Sequence, residues 1–342
     1  MESSLAVVIL NYNGKKHLET FLPSVCAHSS MYPIYVADNA STDDSVDYLK
    51  KEFPQIQLIE QNRNFGFAGG YNLALAELEG QFEYYLLLNS DVEVTENWIE
   101  PLLTFLAQNP QAAAVQPKVK SWLKKDTFEH AGASGGFVDL HYFPFCRGRI
   151  FDTLEKDEGQ YDFDTEVTWT SGAAMLIRSH LFHEVKGFDS DFFAHMEEID
   201  LCLRLGNLGH SFYCIPASTV YHLGGGTLDY QSPKKTYLNF RNSLFMLMKN
   251  HAGPLLPSLF IRMCLDGIAG IKFLLSGKIK LTWMVFLAHM NLYAQFGRFY
   301  RKRSFLRTKS RKFYRYNGRI LWDYYFLKNT KYASLNKRKF DA

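Results

Sequence analysis

Tyr84-Tyr85-Leu86-Leu87-Leu88-Asn89-Ser90-Asp91 decides the fold. Five apolar residues in a row read as a strand buried on both faces, and such strands belong to parallel sheets covered by helices. The polar triplet that follows starts a loop at the strand's end. The same unit recurs upstream. Apolar runs at Leu5–Leu10, Ile34–Ala37 and Ile56–Ile59 each lead into a polar loop, and a further run follows at Ala112–Val115. Helix-like patterns fill the gaps at Lys16–His28, Asp43–Glu52, Ala68–Leu78 and Glu96–Asn109. Strands alternating with helices imply a doubly wound, mostly parallel α/β sheet. In such sheets ligands bind beyond the C-terminal strand ends. That edge holds Asn11 and Asn13, Asp38 and Asn39, Asn64 and Gly66, and Asn89 and Asp91, so these residues are candidates for binding a nucleotide.

A carboxylate at the end of a buried strand needs a partner or a cation. A divalent ion bridging two phosphates takes only one or two protein carboxylates, and Asp91 suits that role. Asn-Ser-Asp is also ordinary turn chemistry leading into the next helix. Asp38 can accept hydrogen bonds from a base or a ribose, and Asp43 can cap the following helix. Gly66-Phe67-Ala68-Gly69-Gly70 opens a helix with little side-chain bulk, where backbone N–H groups favour anions; a tight strand-to-helix turn would use the same glycines.

His195-Met196-Glu197-Glu198-Ile199-Asp200 places three acids at a helix start, where the helix dipole favours them. Asp200 and Arg204 stand four apart and can pair. Of Glu197 and Glu198, one can act as a general base on an acceptor hydroxyl while the other orients the acceptor. Crowding of like charge raises such a pKa into a useful range. Arg241 can neutralise phosphate or pair with one of the body's acids. His222 ends another apolar run, where a lone histidine is ordinarily a hydrogen-bonded core residue.

Residues 120–166 read as a loop-rich insertion, Val167–Ile177 as a strand, and Glu197–Leu208 and Lys235–Lys249 as helices. From Pro254 the chain is helical and aromatic, then basic. Residues 298–342 hold fifteen Lys/Arg against two Asp/Glu, and the other 297 residues hold 23 against 33. A +13 tail on a −10 body points to an anionic surface, either lipid or nucleic acid. A solvated helical tail is the plainer alternative. The five cysteines contain no CxxC pair and suit buried free thiols in a reducing compartment. No secretory leader is legible at residues 1–10. Leu281–Gly297 is too short to span a bilayer but suits a helix lying on one.

The ordered set of Val7–Asn13, Asp38–Asp43, Asn64–Asn72, Leu86–Asp91, Ser171–Ala174, Gly187–Asp189 and Glu197–Arg204 resembles glycosyltransferase family 2, in its rhamnosyltransferase-like group of cell-surface polysaccharide enzymes. The resemblance spans roughly residues 5–250. It implies a GT-A fold, with a nucleotide-binding half over about 1–118 and an acceptor half over about 119–250. Residues 251–342 would then form a helical, amphipathic and basic extension. It also implies an inverting, metal-dependent enzyme that moves a sugar from a dTDP or UDP donor to a hydroxyl of a glycan or lipid-linked acceptor. By the same resemblance Asp38 contacts the base, Asn72 and Gly70 belong to the nucleotide site, and Asp91 binds Mg²⁺ or Mn²⁺ with His222 completing the metal shell. Glu198 stands where the family has the aspartate of a Glu-Asp pair and is the expected base, with Glu197 and Gly172 orienting the acceptor. Asn89 replaces the first acid of Asp-x-Asp. The expected setting is cytoplasmic, peripheral on the inner membrane face through the basic C-terminal region. A nucleotidyltransferase acting on sugar phosphates, or a nucleic-acid binder using the tail, are the alternatives; no nucleic acid is expected on the favoured reading.

Overall fold

A computed structural model describes residues 4–129, 132–224, 232–303 and 314–341. Its first half alternates β1 (Leu5–Asn11), α1 (Lys15–His28), β2 (Ile34–Asp38), α2 (Ser45–Glu52), β3 (Gln57–Glu60), α3 (Gly66–Glu77) and β4 (Tyr84–Asn89). A short strand β5 (Val92–Val94), helix α4 (Glu100–Gln108) and the long β6 (Ala112–Ser121) follow. Helix α4 starts four residues later than the pattern suggests, because Asn97 takes a left-handed φ of 55° and Pro101 sits in the first turn.

β1 pairs in parallel with β2 on one side and β4 on the other. Its side chains alternate between two cores. Ala6 and Val8 join the cluster on one face, and Leu5, Val7 and Ile9 join the cluster on the other. A strand with apolar residues at every position can only be buried on both sides, which is why the uninterrupted runs mark the sheet's centre. Each such side chain contributes about 1.5–3 kcal/mol when fully buried.

Residues 136–154 form a small antiparallel sheet of four short strands, β7 (Gly136–Val138), β8 (Pro144–Cys146), β9 (Arg149–Ile150) and β10 (Thr153–Leu154). At two or three residues each, they carry no readable periodicity. The expected strand 167–177 is two strands, β11 (Thr165–Val167) and β12 (Ala174–Arg178), joined by a crossing at 168–173. β12 runs antiparallel between β4 and β6. After α5 (Ser179–Glu184) and α6 (Glu197–Asn207), strand β13 (Ser211–His222) lies parallel to β6 and antiparallel to β5 and β11. The nine-stranded sheet has the order β11-β13-β6-β12-β4-β1-β2-β3, with β5 added beside β13. β13, β6, β4, β1, β2 and β3 point one way, so the sheet is mostly parallel and their C-terminal ends share an edge.

Helices α7 (Pro233–Asn250), α8 (Leu255–Leu275) and α9 (Ile279–Arg301) follow. Beyond them the chain departs from a helical extension. Residues 314–341 contain β14 (Arg315–Tyr316), one short helix α10 (Ile320–Tyr325) and β15 (Phe340–Asp341). They return to the acceptor half. Tyr332 and Phe340 pack against Phe137, Tyr316 packs against Phe145, and the Ile320 N–H donates to Asp139 at 2.9 Å. Aromatic residues, not helical periodicity, dictate this docking. The basic stretch 304–313 lies outside the described residues.

Candidate active site

The register of β13 on β5 sets the first cluster. His222 stands opposite Val92, next to Asp91, and the Leu223 N–H donates to the Asp91 carbonyl at 3.0 Å. His222 Nε2 lies 3.1 Å from Asp91 Oδ1 and its Nδ1 lies 3.2 Å from Glu129 Oε2. All three side chains are buried. Burial favours a neutral ring, but a carboxylate on each nitrogen overrides it and carries the His222 pKa up to about 10. Burial also pushes Asp91 up, yet His222, and His17 nearby, outweigh it and hold the carboxyl below its ordinary value. The Asn89 amide stands 3.5 Å from His222 Nε2.

Asp91 Oδ1 and His222 Nε2 could hold a divalent cation only as it displaces the proton that now lies between them. No group of three or more His, Cys, Asp or Glu among the described residues could hold a metal ion alone. Asp91 and His222 offer one oxygen and one nitrogen on adjoining atoms, leaving the remaining positions to a diphosphate and water. Glu129 stands 3.2 Å from the far ring nitrogen, where a carboxylate orients a ligating histidine. Sequence reading missed Glu129. It lies in the segment without periodicity, and nothing local distinguishes it.

The second cluster joins the ends of β1, β2 and β3. The Asn11 amide donates to Asp38 Oδ1 at 2.9 Å, and the Ser41 N–H donates to Asp38 Oδ2 at 2.8 Å. The Asn13 N–H donates to Ser41 Oγ, and Asn13 Oδ1 accepts from the Thr42 N–H at 2.7 Å. Asn11 Oδ1 is buried without a hydrogen-bond partner. Asn39 braces the next loop, donating to Gly66 O and accepting from the Phe65 N–H, while Asn64 Oδ1 accepts from the Gly66 N–H. Asp38 and Asn39 are thus held by the chain itself as the floor of the cluster.

At the helix start, Gly66, Phe67 and Ala68 use their N–H groups within the chain. Phe67 and Ala68 both donate to the Phe193 carbonyl, at 2.7 and 3.2 Å. Gly66 is required by that contact. Its φ is +74°, and a Cβ there would stand 2.5 Å from the Phe193 ring and 2.6 Å from its carbonyl. A Cβ on Gly70 would meet Leu10 at 2.8 Å, so that glycine serves helix-to-strand packing. Asn72 is likewise spoken for, donating to Phe188 O and accepting from the Phe188 N–H.

The third cluster is the loop that Phe193 belongs to. Phe193, His195 and Met196 all have positive φ, at 65°, 70° and 72°. Non-glycine residues in this region cost on the order of 1 kcal/mol or more each, and they persist where the surroundings force them. Here the clamp is identifiable. The Asn242 amide donates to the carbonyls of Phe192, Ala194 and His195. Arg241 donates from Nη2 to the carbonyls of Asp191 and Phe192 and from Nε to Asn242 Oδ1, so this side of its guanidinium holds the loop. Below, buried Asp200 pairs with Arg204 at 2.8 Å, as their spacing predicts, and with Lys249 at 2.7 Å. Lys249 also holds Asp189 at 2.7 Å.

What this frame supports is the acid pair. Glu197 is buried and Glu198 half-buried, and Oε2 of each is buried without a hydrogen-bond partner. Burial pushes the Glu198 carboxyl up to about 7. Burial, then repulsion from Glu198 and Asp200, raises Glu197 well above its ordinary value. His195 is driven the other way, to about 4, by burial and by Lys235; its Nε2 also lacks a partner. Gly172 faces Glu198, since a Cβ there would lie 3.7 Å from Glu198 Cβ. The neighbouring Ala173 carbonyl accepts the Asn89 N–H at 2.9 Å. Two residues therefore link the acid pair to the strand end that carries Asp91.

Residues 6–182 match the sequence profile of Glycosyl transferase family 2. The chain belongs to that family. Among the relatives of this family 2 glycosyltransferase is N-acetylglucosaminyl-diphospho-decaprenol L-rhamnosyltransferase of Mycobacterium tuberculosis, 25% identical over 74% of this chain and 87% of that protein. Rhamnosyltransferase WbbL of Escherichia coli is 26% identical over 63% of this chain and 82% of its own. Two solved structures share the GT-A fold. GalNAc-T7 with UDP, GalNAc and Mn²⁺ has a TM-score of 0.55 at 15% identity, over 72% of this chain and 48% of that one. A mannosyltransferase from Pyrobaculum calidifontis, in complex with GDP-Man and Mn²⁺, has a TM-score of 0.51 at 13% identity, over 90% and 85%. The rhamnosyltransferase-like relatives and the fold agree with the glycosyltransferase reading and leave the nucleotidyltransferase and nucleic-acid alternatives without support.

Proposed function

We propose that this enzyme inverts the anomeric centre of a nucleoside-diphosphate sugar, of dTDP or UDP type, as it transfers the sugar to a hydroxyl of a lipid-linked glycan precursor at the inner face of the cell membrane. The observation that carries the reading is the half-buried Glu198 carboxyl, raised to about 7, whose Oε2 has no hydrogen-bond partner and which faces Gly172, next in chain to the Ala173 that pairs with the end of β4. A carboxyl poised near neutrality, with one oxygen left without a partner, is equipped to take a proton. Glu198 accepts the proton of the acceptor hydroxyl as its oxygen attacks. Glu197 and the bare backbone at Gly172 bound the space where that hydroxyl lies. Asn11, Asn13, Asp38 and Asn39 receive the nucleoside, with Asn11 Oδ1 left to accept from it. Asn64, Gly66, Gly70, Asn72 and Arg241 act at one remove, by fixing the loops around it.

Asp91 and His222 would hold the cation, which when bound offsets charge on the departing diphosphate. One carboxylate with one imidazole favours Mn²⁺ over Mg²⁺, because Mg²⁺ demands oxygen ligands. A single attack from the face opposite the leaving group inverts configuration. The test is product stereochemistry: an α-linked donor incubated with Mn²⁺ and a lipid-linked acceptor should give a β-linked product by NMR, and a β-linked donor an α-linked one. Retention would overturn the single-displacement mechanism.

A further inference from the structure

Helix α8 is inside out. From Leu255 to Ile271 it has two charged residues, Arg262 and Asp266, and both are buried. Arg262 Nε pairs with Asp266 at 3.0 Å, and its guanidinium donates to the carbonyls of His141 and Tyr142. The solvent face instead carries Leu256, Phe260, Ile261, Ile268, Ile271 and Leu275, exposed by 44% for Ile261 up to 84% for Leu275. Spaced by one, three, four or seven residues, they fall on one side of the helix. The antiparallel α9 repeats the pattern with exposed Ile279, Trp283, Phe286, Met290 and Tyr293. The hairpin's end also meets α10, where Lys272 stands over the Tyr325 ring at 5.4 Å and Trp322 stacks on Phe326 at 4.4 Å. Apolar side chains scattered singly over a surface need no explanation, but two matched stripes beside a third aromatic cluster mark a docking face.

The charges on this face select its occupant. Between Gly267 and Gly297 there is no Asp or Glu, and the three cations, Lys272, Lys278 and Lys280, gather around the hairpin turn. A second copy seated on this face would bring only positive charge to meet positive charge. Anionic headgroups complement it, and exposed Trp283, Tyr293 and Trp322 are the residue types that sit at a bilayer's interface. No helix among the described residues is long and apolar enough to cross a membrane, so the hairpin lies on the surface. The tail's first cations do not take this role: Arg298 and Lys302 are occupied by Asp191 and Asp189.

We propose that the α8–α9 hairpin, with the end of α10, is a lipid-docking surface whose apolar stripes enter the headgroup region of an anionic bilayer. A shallow, open groove of about 540 Å³ between α7 and α9 adjoins it, lined by Tyr237, Met284, Leu287, Met290 and Asn291, with Lys234 at one side. Met290 belongs to both groove and face, and Lys234 Nζ lies 5.1 Å over the ring of Phe193, in the loop that leads to Glu197 and Glu198. The groove's use by a lipid-linked acceptor rests on the transferase reading; docking does not.

Flotation of the full chain with vesicles of phosphatidylcholine and phosphatidylglycerol in equal parts tests the docking, and it needs no turnover. The wild type should float, less with phosphatidylcholine alone, and should stay bound in high salt, which screens an attachment made by charge only. The double variant Ile271→Glu/Phe286→Glu should lose roughly tenfold or more in vesicle affinity, since two apolar anchors become charged, while its circular dichroism and donor binding stay unchanged. Should that variant misfold, quenching of wild-type tryptophan fluorescence by brominated lipid gives an independent readout, and strong quenching is expected. A wild type that does not float, a folded double variant that floats equally well, or absence of quenching overturns the proposal. So does sedimentation of the wild type as a dimer that the double variant dissociates, because the face would then belong to a second copy.

Discussion

Replacing Glu198 by glutamine keeps the shape of the side chain and removes its charge. Two effects of opposite sign should follow. As a base, Glu198 must be ionised, so kcat/KM of the wild type should fall about tenfold per pH unit below about 7 and level off above it. The variant should lose this limb and about two to four orders of magnitude in turnover. Stability should move the other way. The folded carboxyl titrates at about 7, against an ordinary value of 4.5. Between those values the folded chain keeps a proton that the unfolded chain has released, so wild-type stability falls as pH rises through this window. The full difference is worth about 3 kcal/mol at pH 8 and nothing below pH 4.5. Glu198→Gln removes this penalty and also relieves the repulsion on Glu197. The variant should therefore melt higher than the wild type at pH 8 and at the same temperature at pH 4.5. Calorimetric melting across that range, alongside steady-state rates, reads both effects. A variant that keeps a tenth or more of wild-type turnover, or a melting difference that does not change with pH, would refute the assignment of Glu198 as a buried base.

Glu129→Gln leaves the metal-facing nitrogen of His222 in place but weakens what orients it, so Mn²⁺ affinity measured by calorimetry should drop about 10- to 100-fold with the fold intact; unchanged affinity would leave Glu129 a bystander. Lys249→Met removes a shared partner of half-buried Asp189 and buried Asp200. It should cost about 3 kcal/mol in urea unfolding, whereas a loss below about 1 kcal/mol would mean that Arg204 and Lys302 suffice to hold the two acids.

The sheet's centre was legible because burial on both faces leaves no polar alternation; Leu5–Leu10 and Tyr84–Leu88 can hardly be anything else. The polar strand ends were legible for the same reason, as abrupt breaks in those runs. Roles were harder. Gly66 and Asn72 look like ligand-binding residues from sequence, but their partners are Phe193 and Phe188, more than a hundred positions away. Arg241 looks like a free cation because nothing local shows that it serves the carbonyls of Asp191 and Phe192. Glu129 was invisible for a related reason: a single carboxylate acquires its role only when β13 brings His222 beside it. The C-terminal extension is helical through α8 and α9, as its sequence suggested, but charge does not announce that aromatic residues fasten 314–341 to the small sheet.

The central claim is that Asp91, with His222, grips a divalent cation that in turn holds the donor's diphosphate. Calorimetric titration of dTDP- and UDP-sugars into the wild type and into Asp91→Ala, each with Mn²⁺ and with excess chelator, tests it directly. Tight donor binding by the wild type that vanishes in chelator, and is absent from a folded Asp91→Ala in either condition, is the predicted result. Equal donor affinity in all four combinations would contradict it.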